Sequence, residues 1–122
     1  MAHHVLLIED EPNILEAVRF VLSRAGWRVS CHSDGATAVE AVARTSPDVV
    51  VLDVMLPNRS GLDVLKDLRA QDDTADLPVL ILTAKGQTKD RDQATHLGAS
   101  AFMAKPFANS DMVERLQSLV GA

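Results

Sequence analysis

The stretch VVVLDVML, residues 49–56, places one carboxylate in a run of apolar side chains. A short continuous run rich in β-branched residues is typical of a strand buried on both faces of a parallel sheet. Burial of an isolated ionised carboxylate costs free energy. We therefore expect Asp53 to escape burial, by lying where the strand ends and opens into a crevice.

Four further short apolar runs predict strands, at residues 5–8, 28–32, 79–82 and 101–104. The run at 28–32 is more polar and alternates, which favours an edge strand. Between the runs lie segments with helical spacing of apolar residues. One begins at Pro12 and ends before Gly26. The others have predicted caps at Asp34, at Ser60, and at Asn109 or Ser110.

One predicted helix, at residues 89–96, has almost no apolar face beyond Ala94. Weak burial predicts a helix of low local stability that is able to shift.

Alternation of strands and helices predicts an α/β fold, a doubly wound parallel sheet covered on both faces. We expect the strand order 2-1-3-4-5 with five helices, a flavodoxin-like three-layer sandwich whose crevice lies beside strands 1 and 3. The length of 122 residues suits one domain over residues 1–122.

Composition excludes several functional classes. The net charge of −5 and the lack of a basic stripe disfavour direct binding to nucleic acid or to an anionic membrane. No apolar run is long enough to predict a membrane span. Cys31 is the only cysteine, so an internal disulfide is impossible. These features favour the cytoplasm.

Polar residues follow the predicted strands at the edge where parallel strands place their sites. Glu9 and Asp10 follow the first strand, Asp53 the third, Thr83 the fourth and Lys105 the fifth. If strands 1 and 3 are neighbours, Asp10 and Asp53 converge, and the repelling acids favour a divalent cation such as Mg²⁺. A cation, a lysine and a hydroxyl around an acid suit a phosphoryl group carried on that acid.

At these positions the chain resembles the receiver domains of two-component response regulators. The resemblance rests on four motifs in order and spans essentially the whole chain; they are Glu9-Asp10, LDVMLP around Asp53, ILTA around Thr83 and KPF at Lys105. It implies that Asp53 accepts phosphate from a histidine kinase or a phosphotransfer protein. It also implies a downstream effector protein or a fused output domain as the second partner.

The resemblance also implies how the site is shared. Mg²⁺ would be held by Asp10, Asp53, the backbone carbonyl of Met55 and, through water, Glu9. Lys105 would contact a phosphate oxygen.

The remaining implied roles concern the switch. Thr83 would move toward the phosphate, and Phe102 would rotate into the space it leaves. The bond between Lys105 and Pro106 would be cis.

The wording of residues 53–69 and 81–92 is closest to receivers attached to winged-helix transcription factors. That subgroup dimerises through its fourth helix, fifth strand and fifth helix. Arg91, Asp111 and Arg115 match its interface charges, whereas Ser100 and Ala101 replace the usual acidic pair. A homodimer on phosphorylation remains a possible partner arrangement, and it would have to form without those two acids.

Other interpretations stay open. The simplest alternatives assign structural roles: Thr83 would be a helix cap and Glu11 an acid favoured by a helix dipole. Lys105 would be a surface lysine, and Phe102 would be an ordinary core residue. Met55 cannot orient a water as an amide or carboxylate would, nor can Lys85, which predicts a phosphoryl half-life of minutes or longer.

Two other functions are open alternatives. One is a Mg²⁺-dependent aspartyl-phosphate phosphatase or phosphotransferase of haloacid-dehalogenase type, although the EDEPN sequence lacks its D-x-D motif and no cap domain has room. The other is a flavodoxin-like binding module, which no glycine-rich loop supports. We expect a signalling switch and no enzyme acting on an independent substrate.

Overall fold

A parallel sheet organises the part of the chain that the computed structural model describes, residues 2–84 and 87–121. Its strands are β1 His4–Ile8, β2 Arg28–His32, β3 Val49–Asp53, β4 Val79–Ala84 and β5 Ala101–Lys105. The helices are α1 Pro12–Arg24, α2 Ala38–Thr45, α3 Gly61–Arg69, α4 Thr88–His96 and α5 Asn109–Val120, and a 3₁₀ turn, Gly35–Thr37, precedes α2.

The strand order is β2-β1-β3-β4-β5, and every pair is parallel. This confirms the predicted fold class and order. The strands β1 and β3 are buried at every residue, as the continuous apolar runs predict. The edge strands β2 and β5 are only partly buried, and the more polar sequence of β2 accounts for its place at the edge.

Side chains of successive strand residues enter two different layers. Leu6, Val50 and Ile81 pack with α2, α3 and Ala94 of α4. Their sequence neighbours, such as Leu7 and Val51, pack with α1 and α5. The period of two therefore decides on which side of the sheet a residue at a strand end emerges.

The helix boundaries agree with most of the sequence signals. Pro12 is the first residue of α1, and the side chain of Ser60 accepts a hydrogen bond from Leu62 N at the start of α3. Asp34 does accept from Ala36 N, but it caps the 3₁₀ turn and not α2 itself.

The predicted cap of α5 is wrong. Ala108, and neither Asn109 nor Ser110, occupies the cap position, with extended backbone and no side-chain hydrogen bond. The carbonyl of Ala108 accepts from Asp111 N and Met112 N, so the backbone alone begins this helix.

The helix α4 is held to the protein by few side chains. Of its nine residues only Ala94 is buried. This confirms the small apolar face that the sequence indicates.

Among the described residues, no helix combines the length and apolar character that crossing a membrane requires.

Candidate functional site

An ammonium group surrounded by carboxylates lies at the carboxyl edge of the sheet. Lys105 Nζ lies 2.8 Å from Asp53 Oδ2, 2.7 Å from Glu9 Oε1 and 3.3 Å from Glu11 Oε1. Glu9 follows Leu7, Asp53 follows Val51, and Lys105 follows Met103, each by two residues. All three therefore emerge on the side of α1 and α5, where those apolar neighbours pack.

Asp53 is buried, which corrects the expectation that it escapes burial. Only 2% of the residue is exposed. Two hydrogen bonds compensate the loss of hydration of its carboxylate. Lys105 Nζ donates to Oδ2, and Met55 N, two residues after Asp53, donates to Oδ1 at 3.1 Å. A buried charge that is paired and hydrogen-bonded avoids most of the desolvation cost.

Glu9 is the strained member of the cluster. It is 2% exposed, and its burial together with its closeness to Asp53 raises the pKa of Glu9 from 4.5 to about 7, although Lys105 opposes the shift. Burial alone would lower the pKa of the Lys105 ammonium, but its contacts with Asp53 and Glu9 prevail and raise that pKa. The single positive charge of Lys105 thus faces three carboxylates, and it does not neutralise all of their negative charge.

Three carboxylates of this cluster suit a divalent cation. Glu9, Asp10 and Asp53 each offer one oxygen, and these oxygens lie within 4.8 Å of one another. The predicted convergence of Asp10 and Asp53 is therefore confirmed. Glu9 Oε1 is buried and forms an ion pair with Lys105 Nζ, but no donor is aligned for a hydrogen bond to it. Asp10, in contrast, is exposed. Hard oxygen donors with one side open to solvent fit Mg²⁺, which retains waters.

A cleft of about 500 Å³ opens beside Asp53 and Lys105. Its apolar wall comes from α1 and from the segment after β5, including Ile14 and Phe107. Met55 lies at the rim and is 71% exposed. The Asp53 carboxylate is therefore buried yet accessible from one direction.

The loop between β3 and α3 is fixed by close backbone approaches. A Cβ on Gly61 would lie 2.0 Å from the carbonyl oxygen of Asp53, and one on Gly35 would lie 1.9 Å from the carbonyl oxygen of Arg59. Asn58, at φ 70°, donates from Nδ2 to Asp34 Oδ1 at 3.0 Å. Packing at both ends thus holds the loop that follows Asp53.

Thr83 and Phe102 share the opposite side of the sheet. Ile81 is paired with Phe102, and Thr83 follows Ile81 by two residues. Thr83 is 1% exposed and Phe102 is half-buried against the α2, α3 and α4 layer. The guanidinium of Arg91 lies over the Phe102 ring, with Cζ 4.2 Å from the ring centroid.

Ser100 is hydrogen-bonded within the chain. Its Oγ accepts from Val79 N at 3.0 Å, and Arg69 Nη2 donates to it at 3.4 Å. Asp111 and Arg115 of α5 are exposed. In the winged-helix subgroup an acid stands at the position of Ser100. In this chain the Ser100 hydroxyl instead links Arg69, at the end of α3, to Val79, at the beginning of β4.

Sequence reasoning missed Glu11 as a member of the site. It occupies the N-cap position of α1, but its side chain turns to Lys105 across 94 residues of sequence. Its place directly after Glu9 and Asp10 was the available signal. The Lys105–Pro106 bond is cis, as the resemblance implies. Lys85 lies outside the described residues.

Comparison with known proteins identifies relatives over nearly the whole chain. Residues 5–117 match the family model described as response regulator receiver domain. The chain is 45% identical over 116 residues to the transcriptional regulatory protein TcrX of Mycobacterium tuberculosis, covering 95% of this chain and 49% of TcrX. It is 37% identical over 120 residues to the phosphate regulon transcriptional regulatory protein PhoB of Escherichia coli, covering 98% of this chain and 52% of PhoB.

Solved structures give the same relationship. The receiver domain of the sensor histidine kinase PA1611 from Pseudomonas aeruginosa, with a magnesium ion coordinated in its active site cleft, has a TM-score of 0.90 at 30% identity, with 100% of each chain covered. The chemotaxis response regulator CheY4 of Vibrio cholerae has a TM-score of 0.90 at 27% identity, covering 98% of this chain and 99% of CheY4. The chain spans about half the length of the curated relatives it matches.

Proposed function

The chain belongs to the response regulator receiver domain family, and on that premise we propose that it is a phosphorylation-activated switch of a two-component system. The relatives TcrX and PhoB are transcriptional regulators, in agreement with the predicted likeness to receivers of winged-helix transcription factors. The observation that carries the proposal is the convergence of the Glu9, Asp10 and Asp53 carboxylates at one edge of the sheet, with Lys105 Nζ 2.8 Å from Asp53 Oδ2.

Asp53 is the proposed phosphoryl acceptor. A carboxylate oxygen of Asp53 attacks the phosphorus of a phosphohistidine on a sensor kinase or phosphotransfer protein. A P–O bond forms, the P–N bond breaks, and the imidazole leaves with the electron pair. Hydrogen bonds from Met55 N and Lys105 Nζ fix the carboxylate before the donor arrives, which lowers the entropic part of the barrier.

Lys105 is proposed to contact an oxygen of the transferred group. It already provides a fixed positive charge beside Asp53, and such preorganised charge stabilises the phosphoryl group as it arrives. Thr83, buried at the end of β4, is proposed to hydrogen-bond to the phosphoryl group after transfer.

The proposed cofactor is Mg²⁺. Asp10, Asp53 and the backbone carbonyl of Met55 would hold it, with Glu9 acting through water. When bound it neutralises charge on the phosphoryl oxygens. Burial and the neighbouring Asp53 carboxylate raise the pKa of Glu9 in the free protein, and a bound cation would offset the effect of Asp53.

The output surface is proposed to comprise α4, β5 and α5. Phosphorylation adds about two negative charges near Thr83 and shifts a pre-existing equilibrium. Phe102 turns inward, and α4, with its single buried residue Ala94, moves with it. A downstream protein, a fused output domain or a second copy reads that surface; we expect this domain to act in the cytoplasm without touching nucleic acid.

The enzymatic alternative is not favoured. Its haloacid-dehalogenase-type acceptor follows the first strand, whereas here Asp53 ends β3. We propose that the transfer to Asp53 and its later hydrolysis are the only chemistry this domain performs, with no independent substrate.

Labelling with radioactive acetyl phosphate and Mg²⁺ tests the proposal. We expect one phosphoryl group per chain, lost in Asp53→Asn and in Asp53→Ala, and retained in Asp48→Asn, which alters an exposed acid outside the cluster. Label that persists at full strength in both Asp53 variants would overturn the assignment. Steady turnover of p-nitrophenyl phosphate would support the enzyme instead.

A further inference from the structure

Arg91 contacts the ring that the proposed switch has to move. Its Cζ lies 4.2 Å above the centroid of Phe102, a distance at which a guanidinium and an aromatic face attract each other. Both partners are well placed for this: Phe102 is half-buried with one face toward α4, and Arg91 is exposed on that helix. The contact therefore joins α4 to β5.

The contact matters because α4 has so few others. Ala94 is the one residue of α4 that is buried, and Arg91 lies three residues before it, on the same face of the helix. Both side chains therefore hold this face of the helix against the protein. Loss of the stacked guanidinium removes a contact between the first half of α4 and β5.

Electrostatics leave the ring as the partner of Arg91. Within residues 2–84 and 87–121, no carboxylate oxygen lies within 4.0 Å of its guanidinium nitrogens. Residues 100 and 101, just before the ring, are Ser and Ala, and the Ser100 hydroxyl is engaged by Val79 and Arg69. No acid at these two positions draws the guanidinium away.

The ring connects to the phosphorylation site through Thr83. Phe102 and Thr83 emerge on the same side of adjacent strands, two residues apart in register. Thr83 is buried at the edge where Asp53 lies. A contact that fixes the ring therefore keeps Phe102 out of the space that Thr83 would leave when it moves toward the phosphoryl group.

We propose that Arg91 is a positioning residue that holds Phe102 in its resting arrangement by stacking on the ring, and so opposes the activated state. This inference rests on the proposed function, because it assumes that phosphorylation of Asp53 moves Phe102. Phosphorylation has to displace the guanidinium, and a chain without it reaches the activated arrangement more readily.

The test measures the ring and the activation separately. The protein is labelled with 4-fluorophenylalanine, and the Phe102 resonance is assigned by its loss in Phe102→Leu. In Arg91→Ala we expect this ¹⁹F resonance, without any activator, to move toward the position that beryllofluoride with Mg²⁺ produces in the parent. The affinity for beryllofluoride should rise about two- to fivefold, the range of an exposed cation–π contact.

Two variants separate stacking from charge and from helix stability. Arg91→Lys keeps the cation without the planar fork, so we expect intermediate values. Lys89→Ala removes one charge from the same helix at an exposed position, and we expect parental values. The melting temperature is followed in each variant, because a general loss of stability would lower the affinity for beryllofluoride.

Each outcome decides the matter. An unmoved resonance in Arg91→Ala, an unchanged affinity, or equal effects in Lys89→Ala overturn the role of Arg91. If the parent itself binds no beryllofluoride, the proposed function fails first. In that case a change of the Phe102 resonance in Arg91→Ala that is absent in Lys89→Ala still supports positioning of the ring by Arg91, and the absence of any change overturns it.

Discussion

The two sides of the sheet are built for opposite purposes. On the side of α1 and α5, Lys105 lies within 3.3 Å of three carboxylates, and each of these two helices buries two residues against the sheet. On the other side, α4 is anchored by Ala94 and by one guanidinium lying over Phe102. The comparison teaches that the pleat of the strands places the proposed phosphoryl acceptor and the proposed moving helix on opposite sides of the sheet. A rigid site and a loosely held helix coexist because alternate residues enter different layers.

Removal of the central cation should break the rigid side. Lys105→Met leaves Glu9 and Asp53 facing each other without compensation. We expect the rate of labelling by acetyl phosphate to fall at least about a hundredfold, the effect typical of losing one preorganised donor. Lys66→Met, on the exposed face of α3, is the matched control. A Lys105→Met rate within tenfold of the parent would remove Lys105 from the mechanism.

Acidity should reveal the strain on Glu9. Its pKa is raised from 4.5 to about 7 in the folded protein, so the folded state binds more protons than the unfolded state between these values. The free energy of unfolding should therefore fall as pH rises through this interval, by on the order of 3 kcal/mol in the absence of divalent cations.

Urea unfolding of the parent and of Glu9→Gln at pH 4.5 and pH 8 measures this loss. The neutral amide removes the titration, so the difference between parent and variant isolates Glu9. A parent curve that runs parallel to that of Glu9→Gln over the interval would refute the assignment. Addition of Mg²⁺ at pH 8 should recover most of the stability lost by the parent.

Hydrogen exchange should sharpen the contrast between α4 and α5. The helix α5 buries Met112 and Leu116, whereas α4 buries only Ala94. Amides in the middle of α4 should exchange about ten times faster than those in the middle of α5, because local opening exposes less apolar surface. Equal protection in the two helices would mean that α4 opens only with the whole domain.

The exposed rim residue should have the smallest effect. Met55 is 71% exposed at the rim of the cleft beside Asp53, the proposed acceptor, and its side chain offers no group that orients water. Met55→Asn should shorten the phosphoryl half-life, predicted to be minutes or longer, by about a few-fold through positioning of the attacking water. The decay of labelled protein gives the rate, with Met55→Leu as the apolar control. Decay of the parent within seconds would contradict the starting prediction.

The sequence was a good guide wherever a local pattern carries the information. The apolar runs of β1 and β3, the proline at the start of α1 and the Ser60 cap each act over a few residues, and each is confirmed. The strand order needed a rule about topology in addition to pattern, and with it the meeting of Asp10 and Asp53 followed.

What the sequence could not supply was how the side chains that meet at the sheet edge pair with one another and how deeply they are buried. Burial of Asp53 is tolerated because Lys105, 52 residues later, reaches it. Glu11 joins the same lysine across 94 residues. The wrong cap of α5 has a similar origin, since polar side chains at Asn109 and Ser110 suggest a cap that the backbone of Ala108 provides unaided.

Arg69 forms hydrogen bonds with the segment that follows α4, and this has a consequence for how the helix can move. Its Nε donates to the carbonyl oxygen of Gly98 at 2.9 Å and its Nη1 to that of Thr74 at 3.0 Å, which tethers the tail of α4 to the rigid end of α3. A helix that is held at one end can rotate about that end more easily than it can slide along its axis. The movement proposed for α4 should therefore be greatest around Thr88, at its first residue, and smallest near Gly98, where the chain is held.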